Sequence, residues 1–194
     1  MTQNNVKKIA VTGGIGSGKS VVCQIIRDFG YPVFSCDEIY KKMQRDKDYL
    51  SMIDTAFLGV VKKGVLDKKA LSEIVFSDKS QLEKLNSLTH PAIIQKLYAQ
   101  MEKYPVSFAE VPLLFESGKK DDFDGVIVVY REIENRIAAV CERDKLTRDN
   151  VISRIKNQAD YEKIIKEGHT VIYNDGDYIS LQKKVKVAIE EVLR

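Results

Sequence analysis

Apolar residues gather in five short runs separated by much longer amphipathic stretches. The runs are residues 9–11, 31–34, 106–111, 125–130 and 170–173. Each is too short for a helix and dense in Val, Ile, Phe or Tyr, the pattern of strands buried on both faces. Between them the apolar positions return at helical spacing. Val21, Val22, Cys23, Ile25 and Ile26 suit a buried helix, and Ile133, Ile137 and Val140 share one face at i, i+4, i+7. Strands alternating with helices predict an α/β domain whose parallel five-stranded sheet is covered on both faces.

Two stretches exceed what a crossover helix needs. Residues 38–104 hold no convincing strand and read as helices at 39–43, 50–57, 68–75, 80–88 and 91–104. Pro91 suits the first turn of the last of these. The stretch predicts a helical insert, a natural place for an acceptor substrate. Residues 131–166 read as helical and highly charged, and Arg136 and Arg143 lie seven residues apart on one helix face. That spacing places them about 10 Å apart along the axis. They fit either a solvated helix with surface ion pairs or a movable lid carrying arginines. Residues 1–37, 105–130 and 167–194 remain as the core of a single 194-residue domain.

The first run leads into Gly13-Gly-Ile-Gly-Ser-Gly-Lys-Ser20, which fits G-x-x-x-x-G-K-[ST]. Strand, glycine-rich loop and helix follow one another as this phosphate-binding motif requires. Glycines let successive backbone N–H groups turn inward around phosphate oxygens. The following helix aims its positive end at the same place. Lys19 reaches terminal phosphates and the Ser20 hydroxyl suits Mg²⁺. A turn that merely joins strand to helix is the plainer alternative.

Parallel sheets bind ligands beyond the carboxyl ends of their strands. The loop, Asp37, residues 112–116 and Asn174 all follow strand ends. Asp37 is the candidate general base for phosphoryl transfer, or simply a helix N-cap. Glu110 or Glu116 is a candidate to touch Mg²⁺ through water. His90 reads as a helix-entry residue, His169 as a loop residue, and Arg131 and Arg154 as lid cations or solvated side chains.

Composition narrows this little. Hydrophobic residues make up 44%, charged residues 30%, and the net charge is +3. These are ordinary values for a globular protein and do not demand nucleic acid. No apolar run approaches the roughly 20 residues that span a bilayer. The polar N-terminus, residues 1–8, lacks the apolar core of a secretory signal. Cys23, Cys36 and Cys141 are far apart, without metal-ligand spacing, and suggest reduced thiols in the cytoplasm. Monomer and small homo-oligomer both stay open.

Taken together, these motifs resemble the dephospho-coenzyme A kinase family from Ile9 to Asn174. The loop is close to the family's form, and Asp37 falls at its acceptor-site aspartate. Gly64-Val-Leu-Asp-Lys68, Leu71, Val75 and Phe76 resemble the family's middle segment. Thr89-His-Pro91 and Val111-Pro-Leu-Leu-Phe-Glu116 are further matches. Arg136, Arg143-Asp144 and Gln158 resemble the lid pattern, and Val171-Ile-Tyr-Asn174 the stretch near adenine. Val21 stands where the family usually has threonine, and Lys68 where it usually has arginine. The resemblance implies a P-loop NTPase-type three-layer α/β/α fold with a helical acceptor-binding insert and a helical lid. It implies transfer of the γ-phosphoryl group of ATP to the 3′-hydroxyl of the ribose of dephospho-CoA. Asp37 would be the base, Lys19 and Arg143 would steady the phosphates, and Asn174 would lie near adenine. Gly14, Ile15, Gly16, Ser17, Gly18, Lys19, Ser20 and Val21 would line the nucleotide, with Mg²⁺ at Ser20.

Two other readings share parts of this pattern. Another small-metabolite kinase of the same architecture would share the loop and lid but not the Pro112–Glu116 and His90-Pro91 matches. A guanine-nucleotide switch would need D-x-x-G after a strand. Here Asp122-Phe-Asp-Gly125 precedes one, and no [NT]-K-x-D segment is present.

Overall fold

The computed structural model of the chain describes residues 6–194; residues 1–5 of the polar N-terminus lie outside the described residues. In chain order the elements are β1 (Lys7–Thr12), α1 (Lys19–Asp28), β2 (Val33–Ser35), α2 (Cys36–Met43), α3 (Lys47–Ala56), β3 (Val61–Lys62), β4 (Val65–Leu66) and α4 (Lys68–Ser77). They continue with α5 (Lys79–Met101), β5 (Val106–Glu110), β6 (Gly125–Tyr130), α6 (Ile133–Asp144), α7 (Arg148–Lys156), α8 (Tyr161–Ile164), β7 (Thr170–Tyr173) and α9 (Tyr178–Val192). All five expected strands form. The chain divides into two compact units, one taking residues up to Phe34 with Met101–Arg194, the other Ser35–Gln100.

In the first unit the sheet runs β2-β5-β1-β6-β7. Its β1–β5, β1–β6 and β6–β7 pairs are parallel. β2 is tied on at the edge by the Phe108 N–H, which donates to the Pro32 carbonyl at 2.9 Å. Strand side chains alternate between faces. Ile9, Val11, Phe108, Ile127, Val129 and Ile172 point to one face. There they pack with Val22, Ile25 and Ile26 of α1 and Leu181, Val185 and Ile189 of α9. Full burial of a side chain of this size contributes about 1.5–3 kcal/mol. The alternate positions Ala10, Thr12, Val126, Val128 and Tyr130 are buried too. Thr12 Oγ1 lies 3.3 Å from Tyr161 Oη, and Tyr130 Oη donates to Glu162 Oε1 at 2.5 Å, so α8 covers this second face. The result is the three-layer α/β/α arrangement.

The expected helical stretch 131–166 is part of this first unit, broken into three helices. α6 stops where Lys145 turns left-handed at φ 56°. Thr147 restarts the chain by accepting from the Asn150 N–H at 3.4 Å. Ile137 and Val140 pack on Val151 to hold α6 and α7 together.

The second unit is mainly helical, with two departures from expectation. First, β3 and β4 form an antiparallel hairpin pairing Val61 with Leu66 and Lys62 with Val65. Its turn residues Lys63 and Gly64 sit at φ 53° and 76°, the mirror-type turn that suits hairpin twist. Two-residue strands are too short to show a period of two, so the sequence reads as strandless there. Second, Pro91 does not open a helix but lies inside α5, a single 23-residue helix. Proline supplies no N–H and forfeits one helical bond. Tertiary packing holds the helix through that gap: buried Thr89 shares a 3.0 Å hydrogen bond with Tyr49 Oη, and Leu97 is fully buried. Asp46 caps α3 and takes an ion pair from Lys96 at 2.9 Å, while Asp67 caps α4.

Candidate active site

The loop between β1 and α1 owes its shape to its glycines. Gly13 has φ 150°, and a Cβ there would collide with the Val129 carbonyl of the neighbouring strand. That carbonyl is sheet backbone and cannot move aside. Gly18, at φ 91°, is the N-cap of α1 and offers no side chain to the helix end. The first-turn amides of a helix lack intrahelical acceptors. Gly18 puts no capping side chain over the start of α1, where the helix dipole favours an anion. The Val21 N–H donates to the Gly18 carbonyl at 3.0 Å.

Lys19 folds back over this loop, its Nζ donating to the carbonyls of Gly13 at 2.6 Å and Gly14 at 3.2 Å. The Ser20 hydroxyl is exposed and donates to Glu110 Oε1 at 3.0 Å. Glu110 is the last residue of β5, the strand beside β1, so adjacent strand ends bring the two together. A hydroxyl and a carboxylate oxygen are hard donors, the type Mg²⁺ takes alongside substrate phosphates and water. Among the described residues no cluster of three His, Cys, Asp or Glu side chains offers an all-protein metal cage. Glu116 is used differently, accepting the Ala159 N–H at 2.8 Å. Of the two carboxylates considered for Mg²⁺, Glu110 is the one beside Ser20.

Several residues that the lid and adenine matches single out act on the loop itself. Arg136 is 6% exposed and donates from Nε to the Ile15 carbonyl at 2.9 Å. Burial pushes its guanidinium below the ordinary arginine value, but arginine keeps its charge in proteins. Gln158 Oε1 accepts the Ile15 N–H at 2.8 Å. Asn174 Nδ2 donates to the Ser17 carbonyl at 2.8 Å, while its backbone N–H continues the β7–β6 ladder to Tyr130. Ser17 itself is buried. These contacts span 121 to 157 residues of sequence, and no local pattern signals them.

Arg143 differs from Arg136 despite their helical register. Its side chain is 63% exposed and forks onto the adjacent Asp144, at 2.8 and 3.0 Å. Arg136 lies in the first turn of α6 and meets the loop, whereas Arg143 lies in the last, so a shared helix face does not give a shared environment. Arg154 also reaches Asp144, at 3.8 Å. Val21 is 43% exposed on the first turn of α1.

Asp37 belongs to the other unit, as the second residue of α2, and it is exposed. The helix-cap reading does not hold, because Ser35 occupies the N-cap position. His90 lies exposed within α5 rather than at a helix entry. His169 lies beside Phe115, with ring centroids 5.4 Å apart and planes tilted by 55°, and faces Glu167 at 3.6 Å. A cavity of about 450 Å³ lined by Lys120, Phe123, Asp124, His169 and Thr170 lies at the amino ends of β6 and β7. That is the end of the sheet away from the loop, where parallel sheets do not place their ligands.

A glycine-built phosphate cradle, a lysine over it and a hydroxyl–carboxylate pair at adjacent strand ends define a P-loop kinase-type α/β protein. The dephospho-CoA kinase family model matches residues 7–180. The chain belongs to the dephospho-CoA kinase family, whose members carry out the last step of coenzyme A synthesis. A dephospho-CoA kinase of Fusobacterium nucleatum is 37% identical over 188 residues, covering 95% of this chain and 97% of that one. The crystal structure of TT1252 from Thermus thermophilus superposes with a TM-score of 0.82 at 33% identity, covering 95% of this chain and 97% of the other. The dephospho-CoA kinase of Campylobacter jejuni gives 0.70 at 32% identity, covering 95% and 96%. These likenesses favour that activity over another small-metabolite kinase. Among the described residues no helix is long and apolar enough to cross a membrane.

Proposed function

We propose that this chain transfers the γ-phosphoryl group of ATP to the ribose 3′-hydroxyl of dephospho-CoA by in-line displacement, with Asp37 as general base. The observation that carries the reading is the grouping of Lys19, Ser20 and Glu110 at the carboxyl ends of β1 and β5. Residues Gly14 to Val21 wrap the triphosphate, chiefly through the first-turn amides of α1. Lys19 leaves the Gly13 and Gly14 carbonyls for the terminal phosphates when ATP enters. Asn174 holds the loop at Ser17 and lies near the adenine.

Ser20 would hold Mg²⁺, with Glu110 accepting from its water shell. The ion would supply charge neutralisation on the phosphates as the leaving oxygen develops. Asp37 accepts the proton of the attacking hydroxyl, and Arg143 exchanges Asp144 for the transferring phosphoryl group. Residues 38–104 serve as the acceptor-binding insert, residues 131–166 as the lid, and residues 1–37, 105–130 and 167–194 as the nucleotide-binding core. Cys23, Cys36 and Cys141 form no disulfide, which supports a cytoplasmic setting.

The test is ADP release from Mg-ATP with dephospho-CoA, adenosine, AMP, shikimate, gluconate or no acceptor. Release is expected with dephospho-CoA above all others. Release with shikimate or gluconate instead would favour the small-metabolite kinase reading.

A further inference from the structure

Both polar groups of Ile15 are taken by side chains from far along the chain. Its N–H donates to Gln158 Oε1 at 2.8 Å, and its carbonyl accepts from Arg136 Nε at 2.9 Å. Arg136 Nη2 reaches the same Gln158 oxygen at 3.4 Å, closing a three-membered ring. The ring grips the loop between Gly14 and Gly16. A Cβ on either glycine would strike Arg136, so the loop and this arginine are fitted to each other.

Gln158 stands on a fixed base. Ala159 donates its N–H to Glu116 at 2.8 Å, Tyr161 sits 3.3 Å from Thr12 Oγ1 at the end of β1, and Glu162 accepts from Tyr130. Phe115 packs edge-on against Tyr161, with ring centroids 6.3 Å apart. Residues 158–162 therefore touch β1, β6 and the segment after β5, and from that platform one oxygen reaches the loop.

We infer that Gln158 and Arg136 are positioning residues for phosphoryl transfer, acting through Ile15 to hold the phosphate loop in its anion-receiving shape before nucleotide arrives. Glycine-rich backbone loses the most conformational freedom on ordering. A loop shaped in advance spares the nucleotide that cost. It also follows that the first turn of α6 and residues 158–162 are anchors within the 131–166 stretch, and that any lid motion is confined between Arg136 and Gln158.

The inference rests on the kinase reading for its consequence, but its first readout needs no nucleotide. In ligand-free protein, Gln158→Met keeps the side chain's length and removes the acceptor. Amide hydrogen exchange at Ile15 should speed up about tenfold or more, with Ala10 and Val11 in β1 unchanged. In the same variant kcat/KM for ATP should fall about tenfold, mostly through KM. Gln158→Glu restores an isosteric acceptor, so Ile15 exchange should stay within about threefold of the parent. If Gln158→Met does not fold, Gln158→Ser, too short to reach the loop, decides: Ile15 exchange about tenfold faster or more supports the inference, and parent-like protection overturns it. Unchanged Ile15 exchange in a folded Gln158→Met also overturns it. Altered exchange in a protein inactive on every acceptor would keep the ring and sink the kinase reading instead.

Discussion

The Ser20 hydroxyl donates to Glu110 Oε1 at 3.0 Å, joining the first turn of α1 to the end of β5. The bond exists because β5 pairs directly with β1, so the acid and the phosphate loop share one edge of the sheet. A hydroxyl held this way has its own lone pairs free to face a cation.

Glu110→Gln tests that use. The amide keeps a hydrogen-bonding oxygen for Ser20 but removes the negative charge that would order a hydrated Mg²⁺. The expected result is a fall in kcat of about 10- to 100-fold and a higher Mg²⁺ concentration at half-maximal rate. Titrating Mg²⁺ at saturating ATP measures both. An unchanged Mg²⁺ requirement would leave Glu110 as a partner of Ser20 only.

Asp37 separates base from binding residue. Asp37→Asn preserves shape and hydrogen bonding while removing the proton acceptor. Turnover should drop at least ~100-fold with ATP affinity nearly intact. Equilibrium nucleotide binding beside single-turnover rates makes the comparison, and turnover near the parent's would refute the role.

Arg143 should show the opposite face of the same logic. Its guanidinium is satisfied by Asp144 and largely exposed, so it contributes little to the resting protein. Arg143→Ala should therefore leave stability unchanged and lower kcat at least ~10-fold more than it weakens ATP binding. Equal losses in both would mark ordinary ground-state binding.

What the sequence could show depended on how local each feature was. The strand at 125–130 is apolar at every position but its glycine, and the loop spells its geometry in eight consecutive residues. Both are legible without knowing the fold. The β3–β4 hairpin is not, because two residues per strand carry no period. Pro91 misleads because the contact that keeps α5 going, Tyr49 to Thr89, joins residues 40 apart. Arg136 and Arg143 look equivalent on a helical wheel, and only the loop's position distinguishes a buried buttress from an exposed cation. Gln158 carries no local signal, since its partner Ile15 is 143 residues away.

Cys23 gives a last prediction, in which the sheet's packing sets a thiol's chemistry. It is fully buried on α1, in the core shared by α1, α9 and the sheet. Burial, and after it the Glu110 carboxylate, push its pKa up from 9.0 to about 12. The thiolate is the reactive form. At about pH 8, one thiol per chain should therefore resist a disulfide-exchange reagent until the protein unfolds. The same shift fixes a direction for stability. A pKa raised in the folded state gives a contribution that is whole below pH 9.0 and is lost as pH rises toward about 12. Between those values the parent should lose denaturant resistance faster with rising pH than Cys23→Ala, whatever the two differ by at neutrality. Chemical denaturation of both proteins across that range measures the slopes. Equal slopes would mean that the thiol ionises as freely in the folded chain as in the unfolded one, contrary to its burial.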